Sequence, residues 1–146
     1  MSSSSLSPLS VSEIQQAERA IIRYVQWCAF DKEFHLLQKQ CNAHEFSSAG
    51  HHSDLQKLTP TLSIDGLLCV GGRLRKAQTA EDPKHPMIVP NDSVVAKLIV
   101  RHCHAAANHA GQEHTLALLR ERFWIVRAWT VVHTQLMCYQ RKKRAV

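Results

Sequence analysis

The sequence predicts a mainly α-helical chain that carries one small β-hairpin and ends in a three-helix bundle. Three observations predict this fold class. Apolar residues recur at helical spacing near both ends of the chain. Between them, an Asp-Gly pair separates two short apolar runs, which is typical of a tight hairpin. The 146-residue length and the 45% apolar composition suit one domain, or a small domain with a helical extension.

The first 40 residues predict a leader followed by helices. Residues 1–10 are Ser-rich and are expected to be disordered. A helical extension is predicted over residues 11–40, with a second short helix around Phe34, Leu36 and Leu37. Two residue pairs have the spacing of a capping box at its start: Ser10 with Glu13, and Ser12 with Gln15. Five apolar residues predict one buried stripe on the first helix: Ile14, Ala17, Ile21, Val25 and Cys28.

The middle of the chain changes character twice. Residues 41–57 are polar and without periodicity, and they predict an exposed loop or linker. Residues 58–91 predict a hairpin and an extended segment, because Asp65 and Gly66 form a turn between short apolar runs. The prolines that bracket "HPMIVP" favour an edge strand over a central strand.

Two consecutive glycines follow the second apolar run of the hairpin. Gly71 and Gly72 indicate a bulge or a close approach of two backbone segments. They do not form a phosphate-binding loop, because those motifs need a defined glycine spacing and a helix directly after it.

Residues 92–146 predict three helices. Asn91 or Asp92 can cap the first, which ends near His104; the second opens at Thr115, and the third runs from Trp129 to about Lys142. The predicted inner positions are Val95, Leu98 and Ile99 in the first helix, Leu116, Leu119 and Phe123 in the second, and Val132, Leu136 and Tyr139 in the third. The later two helices are expected to form an antiparallel hairpin that brings the end of the third helix back toward the start of the second.

Three residues of this region have the spacing of metal ligands. His104 and His109 enclose four residues, which is within the range of zinc-binding histidine pairs. Cys138 lies near the end of the third predicted helix, and the helical hairpin would bring it beside His109. Arg141 occupies the position of a second cysteine in a Cys-x-x-Cys pair, and a guanidinium has no lone pair to donate.

The C-terminal part of the chain is strongly basic. The net charge of +6 equals the excess of Lys and Arg over Glu from residue 101 onward, so an anionic partner such as nucleic acid is expected there. The candidate phosphate contacts are Arg120, Arg122, Arg127, Arg141, Lys142, Lys143 and Arg144. The alternative is a solvated charged surface.

The aromatic residues beside these arginines have two interpretations. Phe123 is expected in the core, whereas Trp124 and Trp129 could either pack in the core or stack on nucleic-acid bases.

Several classes of protein are excluded. No apolar run reaches the length of a membrane span, and the first residues lack the features of a secretory signal. Five scattered cysteines argue for reduced thiols, so an intracellular protein of the nucleus or cytoplasm is expected. We expect neither membrane binding nor a small-molecule substrate.

Four stretches together resemble a known family: "GLLCVGGRLRKA", "KHPMIVP", "LIVRHCHAAANHAGQEHTLALLRERFWIVRAW" and "CYQRKKRA". From about Ser12 onward the chain resembles the segment of Bel-Pao type retrotransposon polyproteins that runs into the integrase. Its last third resembles the His-His-Cys-Cys zinc-binding domain of retroviral and retrotransposon integrases. The resemblance implies that His104, His109 and Cys138 bind Zn²⁺, and that Arg141 stands where the family has its second cysteine.

The resemblance also carries functional expectations. In the family this helical domain binds zinc, helps integrase to form multimers and engages the DNA end. A ribonuclease-H-like catalytic core follows it there, whereas this chain ends after its basic tail. We therefore expect a non-catalytic module associated with nucleic acid and DNA integration, forming a homo-oligomer through the helical domain.

Other hypotheses remain open at this point. Cys103, His102, His114 or His133 could substitute for the missing ligand. The histidines could instead belong to a metal-free packed core, in an interaction module that is a remnant of an integrase. A metal hydrolase is a third hypothesis, but such sites usually add carboxylates, and only Glu113 lies near in sequence.

Overall fold

The structure is a computed structural model, and it describes residues 9–42, 55–71 and 85–144. Five helices are found there: α1 (Val11–Ala29), α2 (Asp31–Asn42), α3 (Val94–Ala106), α4 (Gln112–Arg122) and α5 (Ala128–Arg144). Four short strands accompany them: β1 (Thr61–Leu62), β2 (Leu68–Cys69), β3 (Met87–Val89) and β4 (Phe123–Ile125). The predicted fold class is confirmed. The predicted leader lies almost wholly outside the described residues, as does most of the predicted 41–57 loop.

Helix starts follow local side-chain chemistry. The Ser10 side chain accepts a hydrogen bond from the Glu13 backbone, and Glu13 accepts one from the Ser10 backbone, so the first of the two predicted capping boxes is confirmed. Helix α3 is capped by Ser93, whose hydroxyl accepts a hydrogen bond from the Ala96 amide. The prediction of Asn91 or Asp92 as this cap was wrong by one or two positions.

The apolar stripe predicted on α1 does not face the core. Ile14, Ile21 and Cys28 are exposed, and Val25 is half-buried. The buried residues of α1 are Ile22 and Gln26 instead. The prediction of a buried stripe was therefore wrong, because helical periodicity identifies an apolar face but not what covers it.

The strands form one sheet in the order β1-β2-β3-β4. The predicted hairpin is confirmed: β1 and β2 are antiparallel, with Leu62 opposite Leu68, and Gly66 in the turn has a φ of 72°. Strand β3 pairs with β2 on one side and with β4 on the other. The prediction of an edge strand was wrong, and the chain tolerates Pro86 and Pro90 because both lie just outside β3.

Gly71 lies where two backbone segments meet. Its amide donates a hydrogen bond to the Thr59 carbonyl, and the Thr59 hydroxyl donates one to the Gly71 carbonyl. A Cβ atom at position 71 would collide with the Thr59 carbonyl oxygen. The predicted close approach is confirmed at Gly71, whereas Gly72 lies outside the described residues.

Strand β4 was not predicted from the sequence. Helix α4 begins at Gln112, three residues before the predicted start at Thr115, and it ends before Phe123. Phe123 opens β4, which runs parallel to β3 with Met87 opposite Phe123 and Val89 opposite Ile125. The sheet therefore joins the segment before residue 91 to the helices after it.

The sheet has an apolar layer on each face. Cys69 and Val89 face a core that includes Ile22 of α1 and buried side chains of α3, α4 and α5. Leu68 and Ile88, one residue earlier on each strand, face a second cluster with Phe34 of α2 and Leu55. Phe123 is buried in the first core, as predicted.

Gln26 fixes α1 to the centre of the sheet. Its amide nitrogen donates hydrogen bonds to the carbonyls of Leu68 and Ile88, at 2.8 and 2.6 Å. Its amide oxygen accepts a hydrogen bond from the Leu68 amide at 2.9 Å. The side chain is completely buried, so these three bonds take the place of the hydrogen bonds that water would make with the Leu68 and Ile88 backbone groups.

Helices α3, α4 and α5 pack against one another. Their shared core includes Val100, Leu116, Leu119 and Val132. This is the predicted three-helix bundle, and it positions the candidate site between α3 and α5. Leu98, predicted at an inner position of the bundle, is exposed instead.

Candidate metal centre

The chain reverses direction sharply after α3. Asn108 and His109 have positive φ angles of 49° and 60°. Asn and His tolerate this left-handed region better than β-branched residues do. The His109 amide donates a hydrogen bond to the His104 carbonyl at 3.0 Å, which closes the turn. This turn brings His109 back beside the last turn of α3.

Three rings meet at this point. The centroids of the His104 and His109 rings lie 4.8 Å apart. Tyr139 of α5 stacks on His109 with a centroid distance of 4.9 Å and an interplanar angle of 15°. The same tyrosine meets His104 edge-on at 5.4 Å. The two predicted histidines are thus brought together, with an aromatic side chain of α5 covering both.

His104 is held by the start of α4. The Thr115 hydroxyl donates a hydrogen bond to the Gly111 carbonyl, and its oxygen lies 3.4 Å from Nδ1 of His104. When the hydroxyl donates to Gly111 it can accept from Nδ1–H, and that tautomer of His104 carries its lone pair on Nε2. Partners of this kind commonly orient metal-binding histidines.

The electrostatic surroundings favour neutral His104. Its side chain is buried, and burial lowers the pKa of His104. The neighbouring His109 lowers that pKa further, while a hydrogen bond to the Ala110 backbone opposes the shift. Neutral imidazole is the form that binds a metal ion.

A cavity of about 290 Å³ adjoins the histidine pair. His104 and His109 line it together with Cys138 and Tyr139, and it lies between α3 and α5. Arg101 and Gln135 also border it, and the Arg101 guanidinium donates a hydrogen bond to the Gln135 side chain at 3.1 Å. All three predicted donor residues therefore line one cavity, in which His104 is buried and His109 and Cys138 are exposed.

The donor set fits a zinc ion only in part. Two imidazoles are in contact and a thiol borders the same cavity, whereas a structural zinc site has four ligands. Over the described ranges, no group of three or more His, Cys, Asp or Glu side chains is arranged to hold a metal ion. The hydroxyl of Tyr139 also lies 3.4 Å from Nε2 of His109, where it competes with any ion for that nitrogen.

None of the alternative ligands named from the sequence lines this cavity. Cys103 is buried, and burial raises the pKa of its thiol, which opposes the thiolate that zinc requires. His102 and His114 are exposed. His133 is also exposed, and its ring lies 5.2 Å from that of Trp129.

The predicted nucleic-acid contacts fall into two groups. Arg120 lies over the Trp124 ring, and Arg122 forms an ion pair with Glu18 at 3.1 Å. Arg127, Arg141 and Arg144 are exposed, although Arg127 has an interaction partner within the chain. The side chains of Lys142 and Lys143 lie outside the described part. The end of α5 therefore presents an exposed basic surface.

Two residues of the site were missed from the sequence. Tyr139 was assigned to the bundle core and Thr115 to a helix start, but both contact the histidine pair. The spacing of Tyr139 with Val132 and Leu136 already placed it on the inner face of α5. Cys138 lies about 100° from it around an ideal helix, at the edge of that face.

Comparison with known proteins gives one match. The sequence model of the family described as integrase zinc binding domain matches residues 91–143. This match supports an integrase-type retroelement segment over about a third of the chain, in a region of integrases that is not the catalytic part. Searches of curated proteins and of solved structures gave no match. None of the helices in the described ranges has the length and apolar character needed to cross a membrane.

Proposed function

We propose that residues 91–143 act as a non-catalytic, integrase-type zinc-binding module that associates with nucleic acid. In this proposal the chain is part of a Bel-Pao type retroelement polyprotein and acts inside the cell, in the nucleus or cytoplasm. The family match supports the integrase type. The observation that carries the proposal is the contact between His104 and His109 at the wall of a cavity shared with Cys138.

His104, His109 and Cys138 would hold the zinc ion. A bound ion supplies a cross-link between α3, the turn after it and α5, and it adds its binding free energy to folding. Three protein ligands leave one position for water, so we expect weaker binding than at a four-ligand site. Thr115 would orient His104 through Nδ1.

Zinc content tests this proposal directly. Protein purified without added metal should contain close to one zinc per chain by elemental analysis. His109→Ala should lower the metal-to-protein ratio by more than half, because one of three ligands is lost.

His102→Ala is the matched control for that experiment. His102 lies on α3 two residues before His104, and it is exposed and does not line the cavity. We expect its removal to leave the zinc content unchanged. A ratio that falls in His102→Ala, or that stays constant in His109→Ala, would remove the ligand set proposed above.

The basic end of α5 would contact nucleic acid. Arg141 and Arg144 are exposed on its last turn, and Lys142 and Lys143 lie between them in sequence. Contacts of this kind neutralise phosphates without selecting a base sequence. Arg120 over Trp124 adds a cation beside a half-buried aromatic ring.

The salt dependence of duplex DNA binding tests this contact. Replacing Arg141 and Arg144 together with Gln should reduce the slope of log K against log salt by roughly 2, since each phosphate contact contributes about 0.9. Fluorescence anisotropy with a labelled duplex measures this slope. Replacing Lys32 and Lys39 of α2 with Gln removes the same charge elsewhere and should change the slope little. Equal effects of the two double variants would indicate only a general charge effect.

A metal-free interaction module is the second candidate function. One observation favours it: Tyr139 packs against both imidazoles, and its hydroxyl lies within hydrogen-bond distance of Nε2 of His109. In that case the ring cluster itself closes the bundle, and the module binds a partner protein. Protein free of zinc whose melting temperature is insensitive to a chelator would favour this candidate.

A further inference from the structure

Helix α1 carries an apolar stripe with a heptad spacing. Ile14, Ala17, Ile21, Tyr24 and Cys28 are separated by three, four, three and four residues. All five are exposed; the exposed fraction is 55% for Ile14, 54% for Ile21 and 71% for Tyr24. We call these five residues the α1 stripe. Over the described ranges, the core of the molecule takes only Ile22 and Gln26 from this helix as buried residues.

This spacing fits a partner that is itself a helix. Apolar residues that alternate at three and four positions give an average repeat of 3.5 residues, which is the repeat of a left-handed coiled coil. A sheet or an irregular loop has no matching repeat. The α1 stripe runs through four turns of the 19-residue helix, so most of the length of α1 presents it.

The charges on α1 permit a second copy to approach. Arg19 and Arg23 lie on the opposite side of the helix from Ile14 and Ile21, about 140° to 180° around an ideal helix. Both interact with Asp65 of the β1–β2 turn. Glu13 and Glu18 border the α1 stripe on opposite sides. The Glu13 carboxylate accepts hydrogen bonds from Ser10, and the Glu18 carboxylate forms an ion pair with Arg122. Two stripes therefore meet without a row of like charges along their contact.

We propose that two copies of this chain associate through their α1 stripes as a pair of helices. The 19-residue helix is about 28 Å long. Side-by-side pairing of two such helices would bury on the order of 1,000 Å² in total, near the lower bound for a specific interface. The dimer is accordingly a weak one, as is common for interfaces of this size. This interface lies outside residues 91–143 and does not depend on zinc.

Sedimentation equilibrium of the full chain tests the proposal. With a reductant present to keep Cys28 and the other thiols free, the average mass should rise from 16.5 kDa toward twice that value as concentration increases. The double variant Ile14→Glu, Ile21→Glu should weaken the dimer by at least 10-fold, because two charged layers would face each other. Its circular dichroism and melting temperature should match the parent, since both positions are exposed.

Leu98→Glu is the matched control. Leu98 lies on α3 with an exposed fraction of 56%, close to the values of the two isoleucines. We expect this variant to form dimers like the parent. Monomer at every concentration in the parent would overturn the proposal. Dissociation by Leu98→Glu, with the α1 double variant still dimeric, would also overturn it and would assign the contact to the C-terminal bundle.

Discussion

Replacing Arg141 with cysteine is expected to strengthen zinc binding about 100-fold and to raise the melting temperature measured with zinc. Position 141 lies one turn beyond Cys138 on α5, roughly 60° around the helix, so a second thiolate would border the same end of the site. A thiolate also supplies the negative charge and the fourth donor that the guanidinium lacks. Because structural zinc contributes about 10 to 16 kcal/mol with four ligands, one added ligand should be worth a few kcal/mol.

Competition with a chromophoric zinc chelator measures the affinity, and thermal unfolding with and without zinc measures the stability. Arg141→Ser is the control, because it removes the same positive charge without adding a thiolate. If the cysteine variant and the serine variant bind zinc equally well, the thiolate at position 141 does not reach the ion, which contradicts the site proposed above. The gain in melting temperature should disappear when the metal is chelated.

Replacing Gln26 with leucine is expected to lower the free energy of unfolding by about 4 kcal/mol, since each buried group left unpaired costs roughly 1 to 3 kcal/mol. The variant keeps most of the side-chain volume but leaves the Leu68 amide and the carbonyls of Leu68 and Ile88 without their hydrogen bonds. Helix α1 would then lose its only fully buried polar contact with the sheet among the described residues.

Urea denaturation measures this loss. Gln16→Leu is the matched control, because Gln16 lies on the same helix, is exposed and is not part of the α1 stripe. Its free energy of unfolding should stay within about 0.5 kcal/mol of the parent. Equal stability of the Gln26 and Gln16 variants would contradict the role assigned to Gln26.

Features that depend on neighbouring residues were predicted well from the sequence. The Ser10–Glu13 capping box, the hairpin turn at Gly66 and the close approach at Gly71 each follow from a few adjacent residues. The three C-terminal helices were also predicted, with errors of one to three residues at most ends. Local steric and hydrogen-bonding preferences suffice for such features.

Features that depend on distant pairing were not predicted. Phe123 continues the spacing of Leu119, so nothing nearby indicates that it begins a strand. Only its pairing with Met87, far away in sequence, makes β4. The same pairing makes β3 a central strand despite its flanking prolines. The outward direction of the α1 stripe likewise depends on Gln26, whose three partners all lie in other elements.

The candidate site was predicted in part. The spacing of His104 and His109 correctly predicted that they lie close together. Five residues that span a helix end are enough for the chain to turn back on the helix. The antiparallel helices also brought Cys138 to the same cavity. Tyr139 was missed as a site residue, because inner-face spacing identifies packing but not the particular rings that meet. The ligand roles of His104, His109 and Cys138 stay predictions, which the metal measurements above test.

The parallel pairing of β3 with β4 makes the folded unit longer than the segment that the family model matches. The family match begins at residue 91, yet the strand beside β4 ends at Val89, two positions earlier. A fragment that begins at residue 91 would keep the helices and β4 but lose the strand that pairs with β4. We therefore expect the smallest stable fragment to begin upstream of the β1–β2 hairpin.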